Sequence, residues 1–192
     1  MRLFFAVDTP ALPAWDPSAP VTEGSETAAP AHLTVRFLGE VDPAQLPPIE
    51  AAAARAVIGV AEFDLELDEI GAFPSRRAPR IVWLGAGVGR EQLHDLARRL
   101  SSELATAGIL PEGREFVPHV TWRRIRSRQD ARIARQWLER TALASPLRGR
   151  VKVLELKQSE LSNAGARHTT LRSFPLGGAV EANQAGSRPT RS

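Results

Sequence analysis

The alternation of apolar and polar residues along the chain predicts strands interspersed with amphipathic helices. The segment EFDLELDEI alternates with a period of two, which is typical of a strand with one buried face. The segment GREQLHDLARRLSSELATAG carries leucines at helical spacing and ends at a glycine, which predicts a helix. The predicted strands cover residues 2–7, 32–38, 61–72, 80–86, 149–161 and 167–175, and helices are predicted at about 42–58, 89–108 and 130–143.

Two stretches lack any such pattern. Residues 9–31 are rich in proline, alanine and serine, which predicts an exposed loop. The stretch from Gly177 onward is rich in small residues, proline and arginine, which predicts disorder. We therefore expect a single bilobal domain over residues 1–176 and a disordered tail over residues 177–192.

Two apolar, β-branched segments that read as strands begin with a histidine followed two residues later by a threonine. The first pair is His32 and Thr34, and the second is His119 and Thr121. Residues two apart in a strand share a face, so each segment offers an imidazole and a hydroxyl together. Each segment also follows a proline and leads into a turn and an amphipathic helix, which indicates an architectural repeat.

The tripeptide alone does not select the functional pair, because His168 is also followed by a threonine at position 170. No turn and helix follow His168, and this context favours His32 and His119. Two histidines suit a reaction with two proton transfers, in which one ring accepts a proton and the other donates one. His94 lies one step off the leucine stripe among polar neighbours, which predicts a surface position.

Composition restricts the chemistry. The chain has no cysteine, which excludes disulfides, thiolate nucleophiles and the usual structural zinc sites. Four scattered histidines do not assemble a metal site readily, so we expect metal-free chemistry without a cofactor. No run of 18 apolar residues occurs, and the opening MRLFFAVDTP is too short for a signal peptide. These features predict a cytoplasmic protein that does not enter membranes, and we expect a monomer.

Positive charge is concentrated in two places. The net charge of the chain is +3, yet the segment between positions 114 and 135 alone contains seven arginines and only two acidic residues. Such clusters suit a polyanionic substrate, because guanidinium groups pair with phosphate oxygens. Helical spacing favours a plain solvated helix face for Arg128, Arg132 and Arg135, whereas the position of Arg124, three residues after Thr121, favours a function. A second cluster is Arg76, Arg77 and Arg80.

Five segments, in chain order, resemble the RNA 2′,3′-cyclic phosphodiesterases of the two-histidine phosphoesterase superfamily, also called the 2′-5′ RNA ligase family. They are MRLFFAV, HLTVRFLGEV, GAFPSRRAPRIVW, F-x-PHVTWRR and LELKQSELSNAGARHTTLRSFPL. The resemblance spans roughly residues 1–176. It implies an α+β fold with two lobes, in which two pseudo-symmetric antiparallel sheets carry helices on the outside and enclose a central cleft.

The resemblance also implies roles for single residues. His32 and His119 correspond to the catalytic pair, and Thr34, Thr121 and Arg124 correspond to the groups that hold the phosphate. The implied reaction is metal-independent hydrolysis of a terminal RNA 2′,3′-cyclic phosphate to a 2′-phosphate, with His119 as base and His32 as acid. The reverse reaction would be 2′-5′ RNA ligation.

The chain departs from the family pattern in two places. Relatives usually have a helix between the first strand and the first histidine motif, where this chain has proline-rich sequence. They often carry an aromatic residue where His168 stands, so His168 is a candidate for lining the cleft in place of a tyrosine ring. Two alternatives stay open: a phosphodiesterase acting on a small cyclic-phosphate nucleotide, and a non-catalytic module that binds RNA ends.

Overall fold

The computed structural model describes residues 1–12, 31–143, 145–162 and 165–177. Most of the loop predicted over residues 9–31, and nearly all of the tail predicted from residue 177, lie outside the described residues. None of the helices in the described part is long and apolar enough to cross a membrane.

The described part of the chain contains eight strands and three α-helices. In order they are β1 (Arg2–Asp8), β2 (His32–Glu40), α1 (Leu46–Ala56), β3 (Phe63–Phe73), β4 (Ile81–Ala86), α2 (Arg90–Thr106), β5 (His119–Arg124), α3 (Arg128–Arg140), β6 (Leu147–Val151), β7 (Val153–Ser162) and β8 (Gly165–Pro175).

Two boundaries differ from the sequence-based expectation. Helix α1 begins at Leu46 rather than near residue 42, because a short 3₁₀ turn precedes it and Asp42 caps that turn by accepting from the Ala44 amide. The two prolines that follow Leu46 fit only the first helical turn, where the amides lack intrahelical partners. The single strand expected over residues 149–161 is two strands, β6 and β7, interrupted at Lys152.

All strand pairs are antiparallel, in the order β6-β3-β4-β5-β2-β1-β7-β8. The β5 half contains β6, β3, β4 and β5, and the β2 half contains β2, β1, β7 and β8. The two halves meet where Leu33 of β2 pairs with Val120 of β5. The α+β class is as predicted, but the two expected sheets are joined at this seam into one eight-stranded sheet.

The core lies on the helix side of the sheet. Helix α2 buries the leucine stripe that the sequence predicts, including Leu96 and Leu100, neither of which is exposed to solvent. These side chains belong to the same apolar cluster as Leu33 and Val120 from the seam. Each buried leucine contributes about 2 kcal/mol through the hydrophobic effect, so packing fixes the face that β2 and β5 turn inward. Their other face is left for polar side chains.

Candidate active site

The two histidine–threonine motifs meet at the seam between β2 and β5. Leu33 and Val120, the central residues of the motifs, pair directly and are both buried. In an antiparallel ladder the residues that flank such a pair also face each other across the strands. The flanking pairs are therefore His32 opposite Thr121 and Thr34 opposite His119.

Because side chains alternate along a strand, these four groups lie on the face opposite the core. All four residues are half-buried. The structure thus brings together two imidazoles and two hydroxyls that lie 87 positions apart along the chain, in a local arrangement with near two-fold symmetry. His32 and His119 therefore lie on the same face of the sheet, on opposite sides of the seam.

A β-bulge brings Arg124 to this cleft. In a regular strand Arg123 would share a face with Thr121, and Arg124 would point away. The register between β4 and β5 shifts at Trp122, however, so Thr121 pairs with Trp83 and Arg124 pairs with Ile81. The extra residue restores Arg124 to the face of Thr121. Its positive charge lowers the pKa of both His32 and His119, which indicates that it faces both.

Strand β2 repeats this bulge with a different outcome. Its register with β1 shifts at Val35, so Thr34 pairs with Ala6 and Phe37 pairs with Phe4. Phe37 therefore holds the position in the β2 half that Arg124 holds in the β5 half. Its ring is 54% exposed and its centroid lies 6.0 Å from that of Phe4. The cleft has a cation on one side and an exposed aromatic ring on the other.

The His119 ring packs against two aromatic side chains, and one of its nitrogens forms a hydrogen bond to the backbone. Its ring centroid lies 4.9 Å from that of Phe73 and 5.8 Å from that of Trp83. Trp83 lies against the backbone of Gly71, where a β-carbon would come within 2.1 Å of the indole. The Nδ1 atom of His119 lies 2.7 Å from the carbonyl oxygen of Val117. A carbonyl only accepts, so Nδ1 donates its hydrogen and Nε2 keeps a free lone pair.

The pKa of His119 is lower than that of an ordinary histidine. Burial is the largest cause, and the charge of Arg124 acts in the same direction. The hydrogen bond to Val117 opposes them by stabilising the protonated ring. Below-normal basicity leaves His119 neutral at neutral pH, which is the form that accepts a proton.

The surroundings of His32 are more polar than those of His119. Its ring centroid is 5.1 Å from that of Phe4 and 4.9 Å from that of His168, with the His168 ring edge-on. Burial lowers the pKa of His32 to about 4, with further lowering by the positive charges of His168, Lys157 and Arg124, and Glu155 opposes these effects. His32 is therefore neutral at neutral pH in the free protein, and an anion bound among these cations would raise its pKa.

A cluster of charged side chains, Asp8, Glu155 and Lys157, lies beside His32 in this half of the cleft. The Lys157 ammonium lies 2.5 Å from the Glu155 carboxylate and 3.1 Å from the Thr170 hydroxyl, to which it donates. Asp8 pairs with His32 across β1 and β2, and burial together with Glu155 raises the pKa of Asp8. Sequence analysis did not identify this cluster. Its members come from strands β1, β7 and β8, and no local pattern signals that they meet.

Comparison with known families follows this geometry. The family model of the 2′-5′ RNA ligase superfamily matches residues 22–162, which include both histidine–threonine motifs and Arg124. The chain belongs to this superfamily. The resemblance found from five sequence segments is thereby confirmed.

Curated relatives in this superfamily cover most of the chain. A protein from Aeropyrum pernix named RNA 2′,3′-cyclic phosphodiesterase is 34% identical over 142 residues, which are 73% of this chain and 78% of that protein. A protein of the same name from Aquifex aeolicus is 30% identical over 148 residues, which are 77% of this chain and 78% of the relative.

Solved structures of superfamily proteins confirm the fold class. E. coli LigT complexed with 3′-AMP is 28% identical, with a TM-score of 0.63 over 92% of this chain and 98% of LigT. A protein from Thermus thermophilus is 27% identical, with a TM-score of 0.65 over 92% of this chain and 98% of that protein.

The arginines between positions 114 and 135 include some that line a cavity beside the cleft and others that lie on the exposed face of α3. Arg123, Arg124 and Arg126 line a cavity of about 430 Å³ at the end of β5, together with Trp122 and Asp130. Three guanidinium groups against one carboxylate make this cavity electropositive, and Arg124 connects it to the cleft. Exposed arginines of α3 form the solvated helix face that their spacing favours: Arg128, Arg132 and Arg135.

Arg76 has a structural role that sequence analysis missed. Its guanidinium donates to the carbonyl of Ile70, at 3.1 Å, and to the carbonyl of Leu138 near the end of α3. The last carbonyls of a helix lack intrahelical donors, and a guanidinium satisfies them while complementing the helix dipole. Arg76 therefore ties its loop to α3 through these two hydrogen bonds, although its side chain, like that of Arg77, is exposed.

The two remaining histidines differ in location. His168 contacts His32, which places it beside the histidine–threonine motif of β2 and keeps it a candidate for lining the cleft. His94 lies half-buried on α2, with its ring 5.4 Å from that of Phe116 and away from the seam. Within the described part of the chain, no group of three or more histidine, aspartate or glutamate side chains is arranged to hold a metal ion.

Proposed function

We propose that this chain hydrolyses 2′,3′-cyclic phosphates at RNA ends, without a metal ion, to give 2′-phosphates. The observation that carries this proposal is the pairing of Leu33 with Val120, which presents His32, Thr34, His119 and Thr121 on one face of the sheet. Two imidazoles and two hydroxyls around one position match the needs of in-line displacement at phosphorus.

In the proposed reaction, His119 is the general base. Its Nε2 lone pair accepts a proton from water because Nδ1 is committed to the Val117 carbonyl. The water oxygen bonds to phosphorus while the bond from phosphorus to the ribose 3′ oxygen breaks. His32 donates a proton to that leaving oxygen. The products are a 2′-phosphate and a 3′-hydroxyl, and proton exchange with solvent restores both rings.

Substrate charge supplies the protonation state that His32 needs. In the free protein burial, together with the surrounding cations, holds the pKa of His32 at about 4. An anionic phosphate beside Arg124 and His32 stabilises imidazolium and raises this pKa toward neutrality. Thr34, Thr121 and Arg124 would hold the phosphate oxygens, where the guanidinium also stabilises charge that develops in the transition state.

The names of the relatives support this substrate class, since proteins at 30% to 34% identity are called RNA 2′,3′-cyclic phosphodiesterase. The arginine-lined cavity next to Arg124 supports a substrate with more than one phosphate. Two guanidinium nitrogens of Arg76 already donate to carbonyls of the fold, which leaves this side chain less able to bind RNA phosphates. A small cyclic-phosphate nucleotide is therefore the second candidate substrate.

The test is incubation of the purified chain with a short RNA that ends in a 2′,3′-cyclic phosphate, with and without excess chelator. We expect a 2′-phosphate product and equal rates in both conditions. A 3′-phosphate product would reverse the assignment of the leaving oxygen. Loss of activity in chelator that zinc or manganese restores would favour a metal-activated water instead.

Reverse ligation is tested separately, with a 2′,3′-cyclic phosphate end and a 5′-hydroxyl end supplied together. Tight binding of RNA ends without any product would instead support the non-catalytic module. The His119→Ala variant is the matched control for both assays, because it removes the proposed base on the exposed face of β5.

A further inference from the structure

His168 contacts His32 although their strands are not neighbours. Strand β8 is separated from β2 by β1 and β7, and three strand spacings in a flat sheet would be about 14 Å. The ring centroids of His168 and His32 are nevertheless 4.9 Å apart, with an interplanar angle of 81°. The sheet therefore curls strongly in this half, and the curl brings a third imidazole to the cleft.

Phe4 completes a triangle of rings. Its centroid lies 5.1 Å from that of His32 and 5.1 Å from that of His168. Phe4 is buried, whereas His168 is exposed. His32 is thus held between a buried ring and a titratable ring that solvent reaches.

The charged groups around the two histidines come from every neighbouring strand. Lys157 and Glu155 belong to β7 and pair with each other, Arg124 belongs to β5, and Asp8 of β1 faces Glu155. Burial, Lys157 and Arg124 lower the pKa of His168. With two cations already present, a second imidazolium in contact with the first is strongly disfavoured.

We propose that His168 is a positioning residue for His32 and that the contact between the two imidazoles prevents both from being protonated together. The edge-on ring fixes the orientation of His32, and protonation of His168 opposes protonation of His32. On acidification the more exposed His168 takes the first proton, and His32 takes the second only at lower pH. The catalytic consequence rests on the proposed function, in which His32 is the acid.

The test compares three substitutions by NMR titration of the histidine rings in the full chain, without substrate. His168→Phe keeps a ring but no charge, His168→Ala keeps neither, and His168→Lys keeps a charge without the ring. His94→Ala is the control, because His94 packs on Phe116 away from the seam. The chain has four histidines, so these variants also assign the signals.

We expect the pKa of His32 to rise by about one unit in both the Phe and Ala variants, because each removes a charge at close range in a partly solvated site. It should stay low in the Lys variant. The Phe variant should keep the ring-current shift of His32, and the Ala variant should lose it. An unchanged His32 pKa in both neutral variants would overturn the proposal, as would a rise in the Ala variant alone.

Activity provides an independent readout. The ratio of kcat/KM between the Phe variant and the unaltered chain should be near one at about pH 8 and rise several-fold as the pH falls and His168 becomes protonated. A ratio that does not change with pH would overturn the link between protonation of His168 and catalysis. Absence of hydrolysis in every variant would contradict the proposed function, while the NMR titration would still decide the coupling.

Discussion

The two halves of the cleft carry the same histidine–threonine pair on different surroundings. In the β5 half, His119 rests on Phe73 and Trp83, and its Nδ1 is bound to a backbone carbonyl. In the β2 half, His32 rests on Phe4 and His168, beside charged side chains of β7. A repeated motif therefore does not bring a repeated chemical environment.

The difference suits the two proton-transfer roles that we propose for these rings. A fixed tautomer in aromatic surroundings suits a base, which needs one dependable lone pair. Charged surroundings suit an acid whose protonation responds to an arriving anion. The bulges add to the contrast, because they bring Arg124 to the cleft in one half and Phe37 in the other.

Loss of either imidazole of the proposed catalytic pair should give the largest effect. We expect His32→Ala and His119→Ala each to lower kcat by about 10²- to 10⁴-fold, because each ring carries one proton transfer. Folding and RNA-end binding should persist, since both side chains lie on the cleft face. Single-turnover assays measure the effect, and His94→Ala serves as the silent control. Near-normal turnover in either variant would remove that histidine from the mechanism.

Substitutions of Arg124 and Arg123 test whether the β-bulge in β5 determines which arginine faces the cleft. Arg124→Ala should lower kcat/KM by about 10²- to 10³-fold, because in the proposed reaction its charge faces the reacting phosphate. Arg123→Ala should leave kcat/KM nearly unchanged on a mononucleotide cyclic phosphate, since the bulge turns Arg123 away from the cleft. The reverse ranking would mean that β5 continues without a bulge in solution.

The pH dependence of stability should differ between the halves. The pKa of His32 falls from 6.5 to about 4 on folding, so the unfolded chain binds more protons in this range. The contribution of His32 to the free energy of unfolding is therefore fully present above about pH 6.5. It is lost as the pH falls toward 4, which lowers the free energy of unfolding by about 2 kcal/mol after allowance for solvent screening. Denaturant unfolding at several pH values should show this decline flattened in His32→Gln. His119→Gln should flatten it less, because fewer cations face His119.

Arg76 and Arg77 test the structural role of their loop. Arg76→Ala should destabilise the protein by about 1 kcal/mol, because two carbonyls lose a charged donor. Arg77→Ala should leave the free energy of unfolding unchanged. Urea titration of both variants measures the difference. Equal stability with a shared loss of RNA affinity would instead assign both side chains to substrate binding.

The smallest expected effect concerns the substrate beyond its reacting end. Replacing Arg123 and Arg126 together by alanine should raise KM several-fold for a long RNA and leave a mononucleotide cyclic phosphate nearly unaffected. The slope of log affinity against log salt should fall by about 0.7 for each lost phosphate contact. Arg132→Ala, on the exposed face of α3, is the control. Equal effects on both substrates would favour a compact nucleotide.

Features set by local sequence periodicity were predictable. The leucine stripe of α2 and the shared face within each histidine–threonine motif depend only on spacing within one element. Pairing of the two motifs was expected from the repeat, although the seam that joins the sheets was not. A single residue pair, Leu33 with Val120, makes that seam.

Features set by neighbouring strands were not predictable from one sequence. A bulge at Trp122 depends on how β5 fits β4, so spacing alone places Arg124 on the wrong face. The contact of His168 with His32 depends on curl accumulated over four strands. Arg76 reads as a surface cation, because its partners lie on β3 and at the end of α3.

The near two-fold seam has a consequence for regiochemistry. Rotating a substrate by half a turn about the seam exchanges His32 with His119 and Thr34 with Thr121, so these four groups alone do not distinguish the 2′ oxygen from the 3′ oxygen. In the proposed reaction that choice belongs to the unlike residues three positions after each threonine. Arg124 attracts the phosphate and Phe37 offers a face to the nucleoside, so together they fix which way round the ribose enters, and hence which ester bond opens.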